Sequence, residues 1–127
     1  MLMSSIVHAE VVVIINPASN ISMSNIRAIK KVFLGKTSTL DGKEVSVADQ
    51  NEGAAVRDEF YQKVARKNAA KLKSYWSKMI FSGKAVPPDV VGDDAAVVAW
   101  VANNRNGIGY VDSSAVNDSV KVLLLVP

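Results

Sequence analysis

Five β-branched residues in a row, Val11–Ile15, stop abruptly at Asn16-Pro17. A run with no polar face predicts a short strand buried on both sides, as in a parallel sheet. Such a strand needs an apolar layer above it and another below, and amphipathic helices are the usual source of both.

The rest of the chain supplies helices and strands in alternation. Asn16-Pro17-Ala18-Ser19-Asn20 is turn chemistry. Ser22 or Ser24 can cap a helix in which Ile26, Ile29 and Phe33 recur at helical spacing, and Gly35 stops it. Residues 36–43 read as a loop turning at Asp41-Gly42, followed by a strand over residues 45–48. From about Gly53 the pattern is helical, with Val56, Phe60 and Val64 on one side. A further helix from about Asn68 carries Leu72, Trp76 and Met79 and ends at Ser82-Gly83, before the Pro87-Pro88 loop. Asp93 or Asp94 can cap a helix carrying Val97, Val98, Trp100 and Val101. Asn106-Gly107 turns into a strand over residues 108–111, and residues 120–126 form the last strand. This order predicts one α/β domain over residues 10–127, with a mixed, mostly parallel sheet flanked by helices.

Within that frame, Val45-Ser46-Val47-Ala48-Asp49-Gln50-Asn51-Glu52-Gly53-Ala54-Ala55-Val56-Arg57 reads as strand, polar turn, helix. The unpaired amides of a helix start beyond a strand end make a natural anion site. Here the turn also bears Asp49 and Glu52, and the nearest guanidinium, Arg57, lies a turn into the helix.

Other chemistry is thin. The chain of 127 residues has no cysteine and a single histidine, His8. That removes disulfides, thiolate metal sites and the usual Ser–His or Cys–His pairs, so neither an enzyme nor a bound metal or cofactor is expected. The net charge of +3 is too mild to argue for a nucleic-acid partner. Arg57, Lys63, Arg66, Lys67, Lys71, Lys73, Lys78 and Lys84 read as the solvated faces of two helices, with Phe60, Tyr75, Trp76 and Phe81 as packing. Asp93 and Asp94 read as helix-capping carboxylates. Gly107-Ile108-Gly109-Tyr110 is no dinucleotide loop, because a strand follows it; Gly109 is expected to admit a close neighbour.

Residues 1–9 look like something other than fold. Val7 and Ala9 occupy the −3 and −1 positions favoured by signal peptidase, so this segment reads as the tail of a secretory signal without its charged beginning. No apolar run approaches the roughly 20 residues needed to span a bilayer. The expected setting is therefore periplasmic, with a mature chain that lacks His8.

Several pieces occur together in order: Phe33-Leu34-Gly35-Lys36; Gly53, Arg57 and Phe60; Tyr75-Trp76; Phe81-Ser82-Gly83-Lys84; Pro87-Pro88; and Gly107-Ile108-Gly109-Tyr110-Val111. In this order the chain resembles the periplasmic phosphate-binding proteins of ABC transporters, over about residues 11–126. The resemblance implies a single lobe of the type II periplasmic-binding-protein kind, whose strand ends and helix starts face a ligand cleft. Full-length members close two such lobes around phosphate.

In that family the turn after the second strand carries an arginine, an aspartate and a Ser-Gly-Thr that hold the ligand. Aligning Gly53 and Phe60 puts Gln50 at the arginine's position and Glu52 at the aspartate's, while Ala54 and Val56 replace the two hydroxyl residues. The amides from Gly53 to Val56 remain, Arg57 can swing back to the helix start or form a surface ion pair, and Asn16, Ser19 and Asn20 are expected on the same rim. The resemblance thus implies a non-catalytic module that binds phosphate or a similar small anion weakly, or through a cleft completed by a homodimer mate. The alternative is an exported scaffold that docks on a transporter, porin or sensor component and has lost its small ligand. An exposed apolar patch beside the turn would favour the scaffold, and a pocket lined by Asn16, Gln50, Gly53 and Arg57 would favour the anion.

Overall fold

The computed structural model describes residues 10–127, so the expected signal segment lies outside the described residues. In chain order the elements are β1 (Val11–Ile15), α1 (Ile26–Phe33), β2 (Thr39–Leu40), β3 (Lys43–Glu44), β4 (Ser46–Gln50), α2 (Ala55–Ala65), α3 (Ala69–Phe81), β5 (Asp89–Gly92), α4 (Asp94–Ala102), β6 (Gly107–Asp112), a 3-10 turn at Ser113–Ala115, and β7 (Lys121–Val126). Five strands form one sheet in the order β5-β4-β6-β1-β7, and β2-β3 is a separate hairpin. β4 is parallel to both β5 and β6, whereas β1 is antiparallel to both β6 and β7. Four strands therefore point one way and β1 runs against them.

Alternation along β1 divides the core in two. Val11, Val13 and Ile15 pack with α1, α2 and α3 on one face. Val12 and Ile14 pack with Val97, Val98 and Val101 of α4 on the other. The double-sided burial expected of this run is thus observed, but in an antiparallel strand. A layer of helix on each face buries a strand whichever way it runs, so burial cannot report direction. Direction matters for the site, because it sends the C-terminal end of β1 to the edge of the sheet opposite the C-terminal ends of β4, β5 and β6. The register makes this concrete: Ile15 faces Ile108, which faces Val47, while Val11 faces Asp112.

Asn25, not Ser22 or Ser24, caps α1, its side chain accepting from the Ala28 amide at 2.9 Å. In place of a plain loop over 36–43, the β2–β3 hairpin spans 39–44, turning at Asp41-Gly42 with positive φ at both. β4 runs two residues further than expected, through Asp49 and Gln50, and β5 lay unseen between Pro88 and Asp93. Phe60 stacks on Tyr110 with ring centroids 3.9 Å apart, and Phe33 and Tyr61 meet Phe60 edge-on. Such contacts add about 0.5–1.5 kcal/mol per pair beyond simple burial.

Gly109 sits where β6 passes under α4. A Cβ there would lie 2.6 Å from Val97 Cγ1, inside any tolerable contact. Gly109→Ala is expected to cost roughly 1–3 kcal/mol by overpacking. Urea unfolding of Gly109→Ala, Val97→Ala and the double variant checks this: the double variant should lose less than the sum of the singles, because removing the Val97 methyls makes room for the new one.

Candidate functional site

The site is built at the C-terminal end of β4. Pairing with β5 slips by one residue there, from Asp49 opposite Val90 to Gln50 opposite Gly92. A bulge of this kind re-aims side chains at a sheet end. Asp49 and Gln50 are strand residues with 2% and 1% exposure, not members of a solvated turn. Successive strand residues point to opposite faces, so Asp49 turns to α2 and Gln50 to α4.

Asp49 is a buried carboxylate with its acceptors in use. Oδ2 accepts from the Tyr61 hydroxyl at 2.8 Å. Oδ1 accepts from the Tyr110 hydroxyl and from the Gln50 amide, the latter at 2.8 Å. Gln50 Nε2 donates to Asp94 Oδ1 at 2.7 Å and to the Tyr110 carbonyl at 2.9 Å. Both of its amide hydrogens are therefore spent inside the protein, which leaves no donor for a ligand.

Arg57, on the first turn of α2, does not form the surface ion pair that sequence allowed. Its side chain is 13% exposed and turns inward, with Nε 3.6 Å from Asp49 Oδ1 and Cζ 5.6 Å from the Tyr61 ring centroid. That separation is an ion-pair distance but too long for a hydrogen bond, and Nε is buried without a hydrogen-bond partner among the described residues. The carboxylate in turn acts on the phenols. Burial first, and the Asp49 charge second, push Tyr61 and Tyr110 well above the ordinary tyrosine value.

Beyond Gln50 the chain turns through Asn51, Glu52 and Gly53 into α2. Gly53 has φ +90° with open space around it, so the requirement for glycine here is conformational. Asn25, Asn68 and Asp93 cap the other three α-helices, but α2 begins at Ala54 with no side-chain cap. Among the described residues nothing accepts a hydrogen bond from the amides of Ala55, Val56 and Arg57. Glu52 and Ala55 are exposed beside them.

Asn16 and Ser19 are not on this rim. Because β1 runs against β4, both lie at the far end of the sheet. Asn16 is buried and closes the C-terminus of α4, donating from Nδ2 to the carbonyls of Val101 and Ala102 at 2.9 and 3.0 Å. Ser19 Oγ accepts from the Ile21 amide at 3.2 Å within its own turn, and Asn20 is an exposed neighbour. The sequence-predicted set therefore separates into Gln50, Glu52, Gly53, Ala54 and Arg57 at one end and Asn16 and Ser19 at the other.

Side chains not expected at the site complete it. Tyr61, Tyr110 and Asp94 hold Asp49 and Gln50 in place, and Asp94 also accepts from the Asp112 amide at 3.2 Å. Of the two carboxylates that could cap α4, Asp93 does so, accepting from the Ala96 amide at 3.0 Å, whereas Asp94 serves the site. The available signal was a pair of polar residues at the end of an apolar strand, since buried polar groups demand partners. A second correction concerns Phe81, expected in the core: it is 95% exposed at the end of α3. A cavity of about 260 Å³ opens between the start of α2 and α3, with Glu52, Arg57, Lys73, Trp76 and Ile80 in its wall. Neither Asn16 nor Gln50 nor Gly53 lines it. Among the described residues no group of acidic or histidine side chains is arranged to hold a metal, and no helix is long and apolar enough to cross a membrane.

No protein-family model matches the sequence, and no curated protein matches it. Solved structures do. One, from Clostridium perfringens, assigned as a phosphate ABC transporter substrate-binding protein with bound phosphate, superposes with a TM-score of 0.72 at 20% identity over 91% of this chain and 44% of its own. An ABC-type phosphate transport receptor from Vibrio cholerae gives 0.70 at 14% identity, over 91% of this chain and 45% of its own. PstS from Borrelia burgdorferi gives 0.68 at 10% identity, over 91% and 46%. The chain spans less than half the length of each of these proteins. At such identities the likeness establishes architecture: the chain has the fold of one lobe of a phosphate substrate-binding protein.

Proposed function

We propose that this lobe binds a small tetrahedral oxyanion of the phosphate class, weakly, at the first turn of α2, in a cleft whose other wall comes from a second surface. The observation that carries this reading is the uncapped start of α2 at the C-terminal end of β4, with three amides that no described residue accepts from. A helix start of this kind offers both hydrogen bonds and a favourable dipole to an anion. The fold is shared with a protein solved with bound phosphate, which makes phosphate the first ligand to test. Weakness follows from the charges. Glu52 is beside the amides, Asp49 neutralises Arg57, and Gln50 brings no charge where the resemblance calls for an arginine. A periplasmic setting belongs to the same proposal and rests on the Val7 and Ala9 pattern together with the transport role of the similar proteins.

The decisive variant is Ala55→Pro. Proline is well tolerated at the first helical residue, and Ala54 already has the extended conformation, φ −66° and ψ 133°, that a following proline requires. The variant deletes one free amide and little else. Calorimetric titration with inorganic phosphate should show millimolar-range binding to the native chain and about tenfold weaker binding to Ala55→Pro, the worth of one hydrogen bond to a charged group. Equal binding by both chains would move the anion elsewhere. Absence of heat and of thermal stabilisation with the native chain would leave the second reading, an interaction lobe without a small ligand. A specific observation favours that second reading: Ile80, Phe81, Val86 and Val90, on the end of α3, the following loop and β5, are all exposed.

A further inference from the structure

α3 carries an aromatic ring on the side that faces away from the core. Leu72 and Trp76 are its buried residues, and Phe81 follows Leu72 by nine positions, about two and a half helical turns, so the two point in opposite directions. Phe81 is accordingly 95% exposed. The same solvent face carries cations. Lys71, Ser74, Lys78 and Phe81 recur at spacings of three and four and share one stripe. A shallow groove along it is walled by Lys67, Ala70, Lys71, Ser74, Tyr75 and Lys78, with no carboxylate among them. Past the helix end, the Lys84 amide donates to the Met79 carbonyl at 3.0 Å, which holds Lys84 within a turn of Phe81. Val86, between the half-buried Ala85 and Pro87, is 83% exposed. No carboxylate occurs between Glu59 and Asp89, and among the described residues Lys71, Lys78 and Lys84 form no ion pair. Lys73 belongs to a different flank, where it shares the α2–α3 cavity with Glu52.

A lysine in the last turn suits the helix dipole, but the dipole has no use for a phenyl ring held in water beside it. The tip is also too narrow for a stable protein partner. Its apolar side chains, Ile80, Phe81 and Val86, cover well under the roughly 800 Å² that each partner buries in a standard interface. A bilayer makes no such demand. It accepts a few inserted apolar side chains and attracts cations held close to its anionic headgroups. We propose that α3 docks this lobe on an anionic phospholipid bilayer, with Lys71, Lys78 and Lys84 among the headgroups and Phe81 inserted below them. The docking surface shares no residue with the start of α2, so it holds whether or not an oxyanion binds there.

Co-sedimentation of the full chain with vesicles tests this, using phosphatidylcholine alone and phosphatidylcholine mixed with phosphatidylglycerol. The chain is expected to pellet with the mixed vesicles at low salt and to leave them as sodium chloride is raised. Phe81→Ser should weaken binding about tenfold, and Lys71→Ala and Lys78→Ala about fivefold each. All three residues are exposed, so these changes leave the fold intact. In Phe81→Trp, emission should move to shorter wavelength when mixed vesicles are added, whereas the native chain, with Trp76 already buried, should not shift. Equal pelleting with phosphatidylcholine alone, or binding that the Phe81 and lysine variants leave unchanged, would place the contact elsewhere and overturn the proposal. So would an unshifted Phe81→Trp emission on vesicles that capture the chain. Failure to pellet with the mixed vesicles overturns it as well. If the chain then self-associates in sedimentation equilibrium and Phe81→Ser prevents this, the tip belongs to a second copy.

Discussion

Asp49→Ala is expected to remove about 3–5 kcal/mol of stability, the usual cost of breaking a buried ion pair from one side. The carboxylate is the common acceptor for the Tyr61 and Tyr110 hydroxyls and the counter-charge of Arg57. Truncation strands two buried donors and a buried guanidinium at once, in a region where water has little access. Asp49→Asn keeps the shape and one acceptor oxygen but sets an NH2 against one of the two phenol hydroxyls, so it should cost less than Asp49→Ala, through that lost acceptor and the lost charge opposite Arg57. Urea denaturation of the two variants checks the order. A loss below about 1 kcal/mol for Asp49→Ala would mean that water replaces the carboxylate, contrary to the burial described above. The same variants bear on the proposed ligand. Relieved of its internal partner, Arg57 becomes available to the α2 start, and Asp49→Asn is expected to bind phosphate more tightly than the native chain.

This cluster also marks where sequence reading stops. The helices over residues 55–65 and 69–81 follow from local periodicity, and both were legible. Asp49 and Gln50 looked like turn residues because their partners, Tyr61, Asp94 and Tyr110, lie up to 61 positions away. A polar residue inside a strand is intelligible only with its partner in view. The four-residue β5 is too short to show a period and exists because β4 offers it an edge. The position of the α2 start was legible from strand-turn-helix chemistry and from the family resemblance. The separation of Asn16 and Ser19 from it was not, because the direction of β1 depends on pairing and leaves no trace in its composition.

The phenols around Asp49 tie stability to alkaline pH with a definite sign. In the unfolded chain a tyrosine ionises near its ordinary value of 10.0, whereas burial and the neighbouring carboxylate hold Tyr61 and Tyr110 protonated well beyond it in the native chain. Below pH 10 both states keep these protons and the phenols add no slope. Above it the unfolded chain releases two protons that the native chain retains, so stability falls as pH rises toward the native values, by about 1.4 kcal/mol per pH unit for each phenol. Tyr75, raised by burial, acts in the same direction. The informative comparison is with Tyr61→Phe, which leaves every other group of the chain in place. That variant should be less stable at pH 8, having lost a hydrogen bond to a charged acceptor, yet decline less steeply by about 1.4 kcal/mol per unit. Urea unfolding from pH 8 to 11.5 should therefore show the two curves converging. Parallel curves would require Tyr61 to ionise in the native chain as readily as in the unfolded one. A buried phenolate would then lie 2.8 Å from the Asp49 carboxylate, with only Arg57 to offset two negative charges.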